Sequence, residues 1–466
     1  MLPQCNPGGL QATDFVKISE NGFDAEDNAQ DKNDYAWSMC FFTPDGEGRG
    51  NIYVGTGNNI LGVAEYVSLS TFNGTDPDEL PAKPPEIRRY RPDRGPAEWE
   101  KVFDYRDVPS DDLQTYGFRR MITYRAADPG AKGGRSTYLY AASQGAGSAL
   151  WRSKTGDAGD WEMVFSTGPN HASLRGMTEH NGKLYIGFAF DIINQNIPPA
   201  EIWLSDDGAN FEPIMQDGFG NPNNRGVEFL ISYKDWLYAG TKNDPEGFEV
   251  WKLEGPKGIG PVKVVDHGGP DHRNEAAGTA TVFQNKLYVG SLIFYGVNVR
   301  EGYGFKGCDI IRIDADDNWE TIVGPHSLSG YDSGFNYFTN AYCWQLKEHE
   351  GWLYAGTWDD GSTLADLLYN LPSLGQYPPS QTKRLPDTLL TREAWLRATE
   401  AGGDIFKTQD GVHWFPVTQD GLGNRNNYGW RNMLSTPDGS FYLGSANPYD
   451  GLEIWRARKP ATEGSR

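Results

Sequence analysis

The chain has 466 residues, with 63 acidic against 42 basic side chains and a formal net charge of −21. That balance repels phosphate backbones and argues against nucleic acid as a partner, and no apolar run reaches the ~18 residues of a spanning helix, so no membrane partner is expected. Aromatic residues make up 13% of the chain, with 15 Trp and 24 Tyr, too much buriable surface for a disordered polymer.

At the amino terminus, Met1 to Cys5 shows neither a basic n-region nor an apolar h-region. The expected protein is soluble and monomeric, either cytoplasmic or secreted with a signal removed. Residues 1–14 read as an extension. Cys5, Cys40, Cys308 and Cys343 form no disulfide framework and no zinc motif. Phe15 to Phe23 matches Phe211 to Phe219 and Trp414 to Leu422, which places an outer strand at the very start. Asp24, Glu26, Asp27, Asn28, Asp31 and Asp34 then form an acidic loop. Such oxygen-rich loops offer Ca²⁺ ligands, although this one lacks the glycine and glutamate of an EF-hand. No other cofactor is expected. His267 and His272 with Asp266 and Asp271 read as a polar loop rather than a metal site.

From Ile52 onward a short apolar block recurs. It appears at Ile52 to Thr56, Leu139 to Ser143, Leu184 to Gly187, Leu237 to Thr241, Leu287 to Ser291, Leu353 to Thr357 and Tyr442 to Ser445. The central copies lie roughly 50 residues apart, a period of the propeller type. A second block follows, as in Glu201-Ile202-Trp203, Glu249-Val250-Trp251 and Glu453-Ile454-Trp455. A turn and a third block come next, as in Trp161 to Val164, Phe211 to Ile214, Trp319 to Ile322 and Trp414 to Val417. Each repeat therefore reads as four short strands joined by tight turns. Such a unit cannot bury both faces alone, but seven arranged radially can. The predicted fold is all-β, a seven-bladed β-propeller over residues 15–458, followed by a tail at 459–466. The last repeat lacks its own third block, so the Phe15 strand is expected to complete it and close the ring, removing an open edge.

Long insertions at about 57–85 and 358–403 fall on one face, and the second contains two helical patterns, 363–369 and 387–399. That asymmetry predicts a single lidded pocket at the mouth of the central channel. The starts of the innermost strands then carry the informative residues. Aligning Tyr35-Ala36-Trp37-Ser38, Tyr116 to Arg119, Ser173 to Met177, Gly226 to Phe229, Gly278-Thr279, Tyr342 to Gln345 and Tyr428-Gly429-Trp430-Arg431 gives a ring of Ser38, Arg119, Arg175, Glu228, Thr279, Gln345 and Arg431. Clustered arginines in an acidic protein either clamp a carboxylate, sulfate or phosphate, or pair with Glu228 and carbonyls to plug the channel. Further candidates on this face are Trp37, His171, Arg225, Trp358, Asp359, Asp360, Tyr428 and Trp430. Among these, Asp359, Tyr428, His171 and Arg431 are the candidate catalytic groups: Asp359 as base or nucleophile, Tyr428 or His171 as proton carrier, Arg431 as charge stabiliser.

Ser205 to Phe211 and Thr408 to Trp414 resemble the Asp-box turns of sialidase-like propellers, one residue shortened. In that family the turn is structural. The Leu-Tyr-Ala-Gly-Thr and Glu-Ile-Trp repeats are similar to those of a broad group of bacterial propellers, including the propeller half of cyanobacterial cyclophane-forming alkylating enzymes. The resemblance implies the propeller fold over nearly all residues after Phe15. Three functions remain open: a lyase or hydrolase acting on an anionic saccharide, a small-molecule alkylating or cyclising enzyme with Asp359 as base, and a non-catalytic lectin or interaction scaffold. Strand residues repeat while face residues differ, which favours one unique site and hence an enzyme.

Overall fold

A computed structural model describes residues 8–23, 33–58, 60, 83–94, 98–108, 115–145, 147–167, 173–189, 198–253, 260–293, 306–361 and 401–458. These residues are almost entirely antiparallel β-structure of the propeller type. The first strand, β1 (Phe15–Lys17), is followed by β2 (Tyr35–Phe42), β3 (Asn51–Gly57), β4 (Glu86–Tyr90) and β5 (Trp99–Asp104), which pair in sequence order. The pattern continues with β6 (Gly117–Ala127), β7 (Arg135–Gln144), β8 (Ala149–Ser153) and β9 (Trp161–Ser166). Next come β10 (Ser173–His180), β11 (Lys183–Ala189), β12 (Glu201–Ser205) and β13 (Glu212–Met215). The set β14 (Gly226–Tyr233), β15 (Trp236–Lys242), β16 (Val250–Leu253) and β17 (Val262–Val265) pairs likewise. So do β18 (Ala276–Phe283), β19 (Lys286–Leu292), β20 (Ile310–Ile313) and β21 (Trp319–Val323). β22 (Asn340–His349), β23 (Trp352–Asp359), β24 (Ile405–Thr408) and β25 (Trp414–Thr418) repeat it. The final group is β26 (Gly429–Ser435), β27 (Ser440–Ala446) and β28 (Ile454–Arg458), with β1 paired onto β28.

The leading strands β2, β6, β10, β14, β18, β22 and β26 pack each against the next, and β26 packs against β2. Between neighbouring groups the sheet faces enclose apolar cores. One such core joins Tyr185, Ile202 and Leu204 to Leu237, Ala239 and Trp251, all buried.

The recurring sequence blocks have a common physical cause. The hydroxyl of Thr241, at the end of β15, accepts the Glu249 N–H (2.9 Å) and donates to Asn224 Oδ1 (3.2 Å). Asn224 Nδ2 donates to the Glu249 carboxylate at 2.5 Å. The same triangle joins Asn274, Ser291 and Asp309, and Asn340, Thr357 and Asp404. The acid also accepts the indole N–H two residues on: Trp203 to Glu201 and Trp251 to Glu249 at 2.8 Å, and Trp455 to Glu453 at 3.0 Å. Threonine, acid and tryptophan thus recur because each satisfies buried polar groups that three strands leave behind.

The turns between third and fourth strands are closed by a carboxylate. Asp207 accepts the N–H groups of Ala209 and Asn210 at 2.9 and 2.8 Å, and Asp410 those of Val412 and His413 at 2.9 and 2.8 Å. Gly411 has φ +77°, and a methyl there would run into Tyr288 Oη of the preceding group.

Three strands escape the repeat blocks read from the sequence. β4, reading Glu-Ile-Arg-Arg-Tyr, is wholly buried because Arg88 pairs with Glu86 at 2.6 Å and Arg89 with Glu100 at 2.8 Å. Its partner β5 is hidden by Glu100 and Lys101, and β17 by its lysine. The helical patterns at 363–369 and 387–399 lie outside the described residues, as do Asp24 to Asp31 of the acidic loop. Among the described residues no helix is long and apolar enough to cross a membrane.

Candidate functional site

Every leading strand breaks register near its start. The breaks fall between Ala36 and Ser38, Phe118 and Arg120, Leu174 and Gly176, Val227 and Phe229, Ala277 and Thr279, Cys343 and Gln345, and Trp430 and Asn432. Each is a β-bulge whose extra residue is freed from the ladder. The equivalent residues are therefore Trp37, Arg119, Arg175, Glu228, Gly278, Trp344 and Arg431. The sequence alignment placed Ser38, Thr279 and Gln345 at three of these positions. Each lies one residue further along: the alignment matched Tyr35 to Tyr116 and Tyr428, whereas Tyr35 stands two residues before its bulge residue, as Gly117 and Gly429 do.

The extra residues meet one another. The Arg119 guanidinium sits over the Trp37 ring at 4.9 Å, and that of Arg431 over Trp344 at 5.4 Å. Arg175 Nη1 pairs with Glu228 Oε1 at 2.6 Å, with Arg175 Nε donating to Ser173 Oγ at 3.1 Å. Residues just past the bulge stitch strand to strand. Arg120 donates to the carbonyls of Arg175 (2.6 Å) and Glu228 (3.3 Å), and Ser38 Oγ to that of Phe118 (2.7 Å).

The electrostatics follow from four arginines around one glutamate. Burial, reinforced by Arg175, pulls Arg119 down to about 9. Arg431, 4% exposed, is pulled well below its ordinary value by burial and by Arg119, Arg120 and Arg175. Burial pushes Glu228 up, but the charges of Arg175 and Arg119 overcome it and hold the carboxylate below its usual range.

Beside the arginines lies an aromatic cluster of Tyr35, Trp37, Tyr116, Tyr342, Trp344 and Tyr428, with Trp358 against it. Trp358 stacks on Trp344 with centroids 5.5 Å apart and meets Tyr342 edge-on at 4.2 Å. Burial, then nearby carboxylates, raises the Tyr35 and Tyr342 hydroxyls well above the ordinary range. Five donor atoms here are buried without a hydrogen-bond partner among the described residues: Trp37 Nε1, Arg119 Nε, Trp358 Nε1, Tyr428 Oη and Arg431 Nε.

The structure brings together Trp37, Arg119, Arg175, Glu228, Trp358, Tyr428 and Arg431. Gln345 is half-buried on the same strand as Trp344. Asp360 is half-buried, and its charge is felt by Tyr35 and Tyr342. Asp359 is held as a turn cap, accepting Thr339 Oγ1 and the Gly361 N–H at 2.7 Å each. Trp430 points away from this cluster into the core between β23 and β26, its indole donating to the Gly403 carbonyl at 2.7 Å. Arg225 is exposed, and His171 lies outside the described residues. Tyr35, Arg120, Tyr342 and Trp344 were not singled out from the sequence. The Tyr-x-Trp spacing shared by 35–37 and 342–344 is the signal that marks three of them.

Among the described residues no group of three His, Cys, Asp or Glu side chains is placed to hold a metal. His267 and His272 are exposed beside Asp266 and Asp271 at 3.7 Å.

No family model matches the chain, and no curated protein matches it. Solved structures similar in part include two enzymes. A luciferin-regenerating enzyme matches with a TM-score of 0.37 and 10% identity, covering 74% of this chain and 93% of that one. CoXyl43, a GH43 β-xylosidase/α-arabinofuranosidase from a compost microbial metagenome in complex with xylotriose, matches with a TM-score of 0.33 and 13% identity, covering 66% and 98%.

Proposed function

We propose that the seven strand groups are the blades of one closed β-propeller, and that its hub binds an acidic group of a saccharide. Closure rests on β1 completing the last group and on β26 packing against β2. The observation that carries the ligand reading is the state of Arg119 and Arg431. Both guanidiniums are stacked on indoles, and their Nε atoms are buried with no hydrogen-bond partner among the described residues.

Buried guanidinium nitrogens without acceptors are costly, and a carboxylate or sulfate is an acceptor that arginine binds in bidentate fashion. Trp358, the half-buried member of the aromatic cluster, is the side chain that suits stacking on a sugar ring. The seven equivalent positions hold three arginines, two tryptophans, a glutamate and a glycine in irregular order, so the hub offers one site rather than a repeated one. This favours an enzyme of the lyase or hydrolase type over a lectin. Arginine charge would stabilise negative charge on a uronate at the transition state, and the Tyr428 hydroxyl is the hub group placed to carry a proton.

The test is a thermal-shift and turnover screen of neutral, uronate-bearing and sulfated oligosaccharides. The acidic sugars should stabilise the wild-type protein, and the neutral ones should not. Arg431→Gln and Arg119→Gln should each lose that response. Equal responses to neutral sugars, or responses that survive both substitutions, would refute the reading.

A further inference from the structure

We propose that Glu228 is a built-in counter-anion that limits the hub to ligands carrying a single acidic group. The inference rests on the anion-binding reading above and narrows it.

It comes from following each guanidinium to its partners. Arg120 spends its donors on the carbonyls of Arg175 and Glu228. Arg175 is held by Glu228 at 2.6 Å and by Ser173, and both members of that pair are nearly closed to solvent, with side chains 11% and 3% exposed. Of these four arginines, Arg119 and Arg431 are the two whose Nε atoms have no acceptor among the described residues. One carboxylate or sulfate presents enough lone pairs to meet both. A second anionic group would either lie beside the Glu228 carboxylate or have to displace it from Arg175. Like charges in a desolvated site repel strongly, and a displaced Glu228 would be left buried and uncompensated.

Burial pushes this carboxyl up, but the charges of Arg175 and Arg119, the Arg175 hydrogen bond and then Lys242 hold it below its usual range. It is the acidic member of the bulge ring. The next position, Gly278, has no side chain, and a methyl there would collide with Leu292.

The experiment is isothermal titration of methyl glucuronide and of its ring monosulfates into the wild type, Glu228→Gln and the double variant Arg175→Met/Glu228→Met. The wild type should bind the singly charged sugar more tightly than any sulfated form. Glu228→Gln frees Arg175 and should tighten the best doubly charged sugar by about tenfold more than the singly charged one. The double variant removes both charges, so the wild-type preference should return. A wild type that favours a doubly charged sugar overturns the inference, as does an unchanged preference in Glu228→Gln. An equal gain in the double variant overturns it too. Should Glu228→Gln fail to fold, the wild-type preference and the double variant still decide. If no acidic sugar binds the wild type, the anion-binding reading itself fails, a result distinct from binding with the wrong preference.

Discussion

Replacing Arg431 by methionine separates a ligand-binding arginine from a structural one. The residue is 4% exposed, its Nε has no hydrogen bond among the described residues, and its charge faces three other arginines and one glutamate. Replacing buried ionic groups by apolar side chains of similar volume is often neutral or stabilising, by about 1–4 kcal/mol where it stabilises. Against this stands the lost contact with the Trp344 face, 5.4 Å away, worth about 1–2 kcal/mol when desolvated. At the midpoints of the two ranges the net gain is about 1 kcal/mol. Unfolding entropy of about 2.1 cal/mol/K per residue gives roughly 1 kcal/mol/K for a 466-residue chain, so Tm should rise by about 1 °C. In scanning calorimetry the variant should melt slightly higher than wild type and lose the stabilisation that acidic sugars confer. A Tm lowered by several degrees would show that the guanidinium holds the hub together, and an undiminished sugar response would show that it does not touch the ligand.

Asn427→Ala should be among the most destabilising single changes outside the apolar core. Its side chain donates to Glu453 at 2.6 Å and to the Gly421 carbonyl at 3.1 Å, and accepts from Asn447 at 3.1 Å. With partners left buried and unmet, a loss of about 2–4 kcal/mol is expected in urea denaturation; a loss below ~1 kcal/mol would mean the triangle is dispensable. Gly411→Ala forces a residue with a β-carbon to φ +77° and into Tyr288 Oη, at a cost of about 1–2 kcal/mol for the backbone alone. Adding Tyr288→Phe should recover part of the total, and purely additive effects would place the strain elsewhere. The Asp207 carboxyl is pushed up by burial but held well below its usual range by the N–H groups of Asn210 and Ala209 and the Ser205 hydroxyl. A depressed carboxyl contributes stability that is complete above its unfolded value of ~3.9 and fades as pH falls below it. Asp207→Asn should therefore lower stability at pH 7 and flatten the decline between about pH 4 and pH 2; a parallel decline in both proteins would show that this carboxylate is not among the acid-sensitive groups.

The repeat was legible in the amino-acid sequence because its causes are local. A threonine or serine, an acid and a tryptophan return at the same spacing wherever strands must satisfy the same buried groups, as at Thr241, Glu249 and Trp251. Tyrosines that meet turn glycines, as Tyr140 Oη donates to the Gly208 carbonyl at 2.9 Å, leave an equally regular trace. Strands built from ion pairs, such as Glu86 to Tyr90, leave none, since their charged residues look like surface until their partners are known. The hub was partly legible: the arginines stood out against an acidic composition, but the identity of their neighbours did not. That identity depends on register: measured from the bulge in each leading strand, Tyr35 is equivalent to Gly117 and Gly429 rather than to Tyr116 and Tyr428, so Trp37, Gly278 and Trp344 hold the places the alignment assigned to Ser38, Thr279 and Gln345. A bulge is a feature of pairing between strands, so it leaves no mark in the order of residues along one of them. Sequence alone thus determined what each sheet is made of. Which side chains meet at the centre was decided by register, a property that exists only once the sheets have formed.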